Sequence, residues 1–91
     1  MMPKVKGCSV GDCFYNENKQ CHAEAINVGA GHPTCNTYLR AESHIGAPGT
    51  GVVGACREEH CRYNIDFLCS APTIRVGYHE AHADCQTFNP Q

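Results

Sequence analysis

The chain has 91 residues, a net charge of −2 and 42% hydrophobic residues, but that apolar share leans on alanine and eight cysteines, with three Phe, four Tyr and no Trp. Leu39 and Leu68 are its only leucines, so large apolar side chains bury too little surface to offset roughly 1–2 kcal/mol of backbone entropy per residue. Lys and Arg are scattered without a run or stripe, and no segment approaches the ~20 apolar residues of a membrane-spanning helix, which argues against nucleic-acid binding and insertion in a bilayer.

From the N-terminus, Met1 to Lys6 carries no apolar stretch ahead of Cys8, so no secretory signal is expected. The expected compartment is the cytoplasm, where thiols stay reduced and eight cysteines favour metal over disulfides. A first module spans residues 1–38. Its cysteines follow C-x4-C-x-Tyr-Asn-x4-C from Cys8 to Cys21, and Cys35 closes the set. Asn tolerates a left-handed backbone, so a tight turn is expected at Asn16. "EAINVG" alternates Ile and Val with polar residues and ends on glycine, the pattern of a strand. "CNTY" reads as a short closing strand.

Residues 39–52 are rich in Gly, Ala and Pro and hold no cysteine, which reads as a linker, flexible around "GAPGTG". A second module, residues 53–91, repeats the first. Displaced by 48 positions (Cys56 against Cys8), the frame returns as Cys56, Cys61, Tyr63, Asn64 and Cys69, then Ile74, Val76 and Gly77. Two inserted residues precede His82, Cys85, Thr87 and Phe88, which match His32, Cys35, Thr37 and Tyr38. "TIRVG" is the second alternating strand, "CQTF" the second closing strand, and "EEHCRY" a turn. The fold class expected is small, metal-stabilised, β-rich and partly irregular: two tandem four-cysteine modules with little helix.

Four thiolates can close a tetrahedron around Zn²⁺ with no open position, and closed sites of four cysteines are structural, with folding and metal binding coupled. The candidate ligands are Cys8, Cys13, Cys21 and Cys35 for one ion and Cys56, Cys61, Cys69 and Cys85 for a second. A loop of variable length before the last ligand suits such a clamp, because loop lengthening is inexpensive. An iron–sulfur cluster also takes four thiolates, but the C-x7-C step departs from ferredoxin spacing and ranks it below zinc. With both sites filled by thiolates the net charge would fall to about −6, a further argument against phosphate backbones. His32 and His82, each in His-x2-Cys, are secondary candidates as ligands, whereas His22, His44, His60 and His79 read as solvated side chains.

Catalysis has little support. A nucleophilic cysteine needs an exposed thiolate beside a base, in a pocket that a module this small hardly has room to form. No acid–base pair is duplicated, since Glu58 and Glu59 occur in one module only.

Cysteine frame, Ala-x2-Ile-x-Val-Gly and Cys-x-Thr-aromatic together resemble the bacterial DUF1540 family, a small four-cysteine domain of unknown function that often occurs in tandem. The resemblance covers residues 5–38 and 53–88. It implies metal binding by the eight cysteines and a bacterial origin, and brings no reaction or partner; the histidine before the last cysteine is not part of the family pattern. The expectation is a non-catalytic metal-binding protein with two structural zinc sites, acting in protein–protein interaction or assembly. Phe14 and Phe67, at positions the repeat does not preserve, are the candidates for contact or for packing between modules. The alternatives are a metal-storage, buffering or sensing protein, and a disulfide-stapled extracytoplasmic module.

Overall fold

The structure is a computed structural model that describes residues 2–29, 33–44, 46, 48–79 and 82–90. Nine strands run in chain order and the described residues contain no helix: β1 (Lys4–Cys8), β2 (Asn16–Glu17), β3 (Gln20–Cys21), β4 (Ala25–Val28), β5 (Val52–Cys56), β6 (Asn64–Ile65), β7 (Leu68–Cys69), β8 (Thr73–His79) and β9 (His82–Cys85). The alternating segments "AINV" and "TIRV" are strands β4 and β8, each with Ile and Val inward. "EEHCRY" is a turn region, as its composition suggests.

The two repeats do not fold as separate sheets. Five strands form one sheet in the order β4-β5-β1-β8-β9. β1 of the first repeat pairs in parallel with β8 of the second, and β5 of the second pairs in parallel with β4 of the first. At the centre β1 and β5 are antiparallel, with Lys4 opposite Val52. Each repeat thus lends its first strand to the Ile-x-Val strand of the other. Across the opposite side, Thr34 bridges Asp84 and Cys35 bridges Val28, so the segment carrying Cys35 ties β9 back to β4 and closes the ring of pairing. The Cys35 and Cys85 N–H groups donate reciprocally to the Ala83 and Pro33 carbonyls, both at 2.7 Å. A pseudo-twofold relation therefore runs through the molecule, between β1 and β5 on one side and between the two final cysteine segments on the other.

Inside the ring lies one continuous aliphatic core. Val5, Val10, Ile26, Val53 and Ile74 are at most 2% exposed, and they pack with Val28, Val76, Ala23, Ala71 and Ala83 against the cysteines. Burying each Val or Ile contributes about 1.5–3 kcal/mol before entropy is counted. The core is larger than the composition implies, because two short modules share it.

Two local expectations are corrected. The left-handed residues are Asn18 (φ 55°) and Lys19 (φ 65°), and Asp66 (φ 51°) and Phe67 (φ 68°), while Asn16 and Asn64 lie within strands. Two consecutive positive φ values make the two-residue turn whose twist suits a hairpin, and β2–β3 and β6–β7 are such hairpins. "CNTY" and "CQTF" are turns beyond the cysteine, not strands. Thr37 and Thr87 explain the motif: their hydroxyls accept the N–H of Asn27 at 3.1 Å and of Arg75 at 3.0 Å.

The segment between the repeats is tied down at both ends. Leu39 O accepts from the Phe14 N–H, the Ala41 N–H donates to Asp12 O, and His44 Nδ1 donates to Cys13 O. β5 begins at Val52, the last residue of the stretch read as linker.

Candidate metal centres

Each set of four cysteines is assembled by equivalent backbone steps. Cys8 ends β1 and Cys56 ends β5, and their N–H groups donate to the hairpin-turn carbonyls of Lys19 and Phe67. The hairpin is fixed in turn by Asn16, whose amide donates to Cys8 O at 2.7 Å, and by Asn64, which donates to Cys56 O at 2.8 Å. Cys13 and Cys61 follow tight turns in which their N–H groups donate to Val10 O and Glu58 O. Cys21 and Cys69 end the hairpins, and Cys35 and Cys85 arrive on the segments that close the ring.

The result is two small cavities, one per set. Cys8, Cys13, Cys21 and Cys35 line a cavity of about 20 Å³, with Val10, Tyr15 and other apolar groups completing the wall. Cys56, Cys61, Cys69 and Cys85 line one of about 10 Å³, together with Tyr63, Phe88 and the carboxylate-bearing Glu58. Either volume is on the order of a single water-sized sphere.

All eight cysteines are free thiols, six of them buried and two half-buried. Burial pushes the Cys35 and Cys85 thiols up to about 11, with neighbouring cysteines of the same set adding to the effect. It raises Cys21 and Cys69 as well. Among the described residues no group of three or more His, Cys, Asp or Glu side chains stands in an arrangement that holds a metal ion. The donor set itself, four thiols lining one small cavity, is of the kind that suits a thiophilic divalent ion.

His82 is exposed in β9 and lines neither cavity, and His32 lies outside the described residues. Phe14 is half-buried, edge-on to Tyr15 with ring centroids 5.1 Å apart, whereas Phe67 is 54% exposed.

Two features escaped the sequence reading. Asp12 accepts hydrogen bonds from Tyr38 Oη at 2.9 Å and from Tyr78 Oη, with Arg40 Nε 3.8 Å from the same carboxylate. Glu58 is 3% exposed at the position where the first repeat has the fully buried Val10. A carboxylate aligned with a core valine is the signal that could have drawn attention to it.

The sequence profile of a Domain of Unknown Function, DUF1540, matches residues 7–44 and again residues 55–88. No curated protein and no solved structure matches the chain. The chain belongs to the DUF1540 family and carries two tandem copies of its domain.

Proposed function

We propose that this DUF1540 protein is a non-catalytic metal-binding protein with two structural Zn²⁺ centres, one held by Cys8, Cys13, Cys21 and Cys35 and the other by Cys56, Cys61, Cys69 and Cys85. The observation that carries this reading is that each set of four thiols, spread over 28 and 30 positions of chain (Cys8 to Cys35, Cys56 to Cys85), lines one cavity of about 20 or 10 Å³. Four thiolates satisfy a tetrahedral ion completely, which leaves no position for a substrate. The cysteine cavities are also far below the several hundred Å³ of an ordinary ligand pocket. Thiolate ligation belongs to a reducing compartment, and the cytoplasm is part of the proposal.

The test is elemental analysis of the protein purified under reducing conditions, paired with a thiol count after denaturation and chelation. Two zinc ions per chain and eight reactive thiols are expected. Iron, no metal, or an absence of reactive thiols would overturn the assignment.

The assembly role rests on the second hairpin. Ile65 (61% exposed), Phe67 (54%) and Leu68 (53%) form its apolar tip, where the equivalent residues of the first hairpin are Glu17, Lys19 and Gln20. The same turn is written polar once and apolar once, so the fold itself does not demand the apolar version. Large exposed apolar side chains clustered on one turn mark a protein contact. A second copy of the chain is the first partner to test: sedimentation velocity should show self-association that I65E/F67K/L68Q abolishes, and a monomer at all concentrations would refute this contact.

A further inference from the structure

The two cysteine cavities differ in what surrounds them. The second shares Glu58, Pro33, Cys85 and Phe88 with an open cleft of about 640 Å³. That cleft is also walled by His60, His79 and Asp84, and among the described residues no Lys or Arg lines it. Glu58 and Asp84 are 3% and 4% exposed.

The clefts that adjoin the first cavity are lined differently. The cleft that meets it at Cys8, of about 290 Å³, is walled by Lys6, Lys19 and Arg75 and by no described carboxylate. A second neighbouring cleft, at Tyr15, Ala23 and Thr37, brings Glu24 and His22 but touches none of the cysteines. The difference is written residue by residue across the repeat: Glu58 stands where the first copy has Val10, His60 where it has Asp12, and Asp84 where it has Thr34.

We infer that the two centres are not equivalent, and that the second exchanges its metal ion through the cleft of Glu58, His60, His79 and Asp84 faster than the first, whose cleft at Cys8 is lined by cations. The inference rests on the metal reading above. A cation drawn toward these carboxylates meets Cys85, which lines the cleft and the thiol cavity alike. A cleft lined by one sign of charge concentrates counter-ions, an effect worth ~10–10³ in encounter rate. Three cations beside Cys8 do the opposite. Glu58 connects the two compartments, because it alone among these carboxylates borders both the thiol cavity and the cleft.

The experiment uses the full chain loaded with Zn²⁺ and adds Cd²⁺, with native mass spectrometry counting ions replaced over time. One ion is expected to exchange at least about tenfold faster than the other. Amide NMR signals of Cys56, Cys61, Cys69 and Cys85 should shift in that fast phase. Glu58→Val, which copies the first repeat, should slow the fast phase about tenfold, and Glu58→Gln should slow it with less change in packing. Raising the ionic strength should slow it in the unaltered protein, without any substitution. Equal exchange of both ions, a fast phase at the first set, or a fast phase indifferent to Glu58 and to salt would overturn the inference. A chain that carries no ion when reduced would instead overturn the metal reading beneath it.

Discussion

Gly51 passes so close to Cys21 that a Cβ at position 51 would stand 2.8 Å from Cys21 Sγ and 2.9 Å from the Ala23 carbonyl oxygen. Its N–H donates to Cys21 O and its carbonyl accepts from Val5, both at 2.8 Å, so the backbone has no slack to retreat. Gly51→Ala is therefore expected to destabilise by about 1–3 kcal/mol, the range for overpacking a tight site. Gly11, where a Cβ would meet nothing within 4 Å, is the control: Gly11→Ala should stay within about 0.5 kcal/mol. Chemical denaturation of both variants under reducing conditions decides the matter, and equal stabilities would contradict the contact.

Asn16 and Asn64 make the same bond in very different surroundings. Asn16 is 7% exposed and Asn64 is half-buried. Asn16→Ala leaves the Cys8 carbonyl without its partner in a dry site and should cost about 1–3 kcal/mol. Asn64→Ala should cost less, because water can replace the amide. A reversed order in equilibrium unfolding would show that these bonds do not hold the hairpins.

The Asp12 carboxyl is held below its ordinary 3.8, first by the Tyr78 hydroxyl and then by Tyr38. Tyr78 is pushed up to about 12, chiefly by its bond to Asp12. Any stability gained through Asp12 is present above 3.8 and is lost as pH falls through its lowered value. The part gained through Tyr78 is present below 10.0 and lost as pH climbs toward about 12. Ultraviolet titration should resolve a late tyrosine that Asp12→Asn returns toward 10.0, and Tyr78→Phe should raise the Asp12 value read by NMR. A tyrosine titration unchanged by Asp12→Asn would rule the linkage out.

If the centres hold metal as proposed, its removal should reverse the sign of the protein's pH dependence. Buried neutral thiols at Cys35 and Cys85 favour the metal-free fold below 9.0, and that advantage is lost as pH rises from 9.0 to about 11. The loaded protein should instead lose stability as pH falls, because protons compete with the ion for each thiolate. Thermal melts from acidic to alkaline pH, with and without chelator, provide the comparison. Identical pH profiles in the two states would contradict both halves of this expectation.

The grouping of the cysteines is legible in the sequence, because duplication exposes which residues belong to one set. The four cysteines of each copy do line one cavity, and the Ile-x-Val segments are strands β4 and β8. Which strand pairs with which is not legible: alternation at Ile26 and Val28 fixes the face that is buried, not the neighbour, and the neighbour turns out to be β5 of the other repeat. Asn16 misleads for a physical reason as well. Its short polar side chain suits a left-handed turn, yet an equally short reach lets it bond Cys8 O from a strand. Glu58 stands out only against Val10, and a residue type alone does not reveal that its position is buried.

The crossed pairing of β1 with β8 and of β5 with β4 has a consequence for how such a chain can evolve. A single repeat has no partner of its own for its first strand, so one copy alone would close this ring only by trading strands with an identical copy, as a symmetric homodimer. In that dimer every substitution would appear at both centres and on both hairpins. Joining the copies in one chain removes that constraint: valine at one cavity with glutamate at the other, and a charged tip on one hairpin with an apolar tip on the other, are differences that the fused pair can keep and a homodimer cannot.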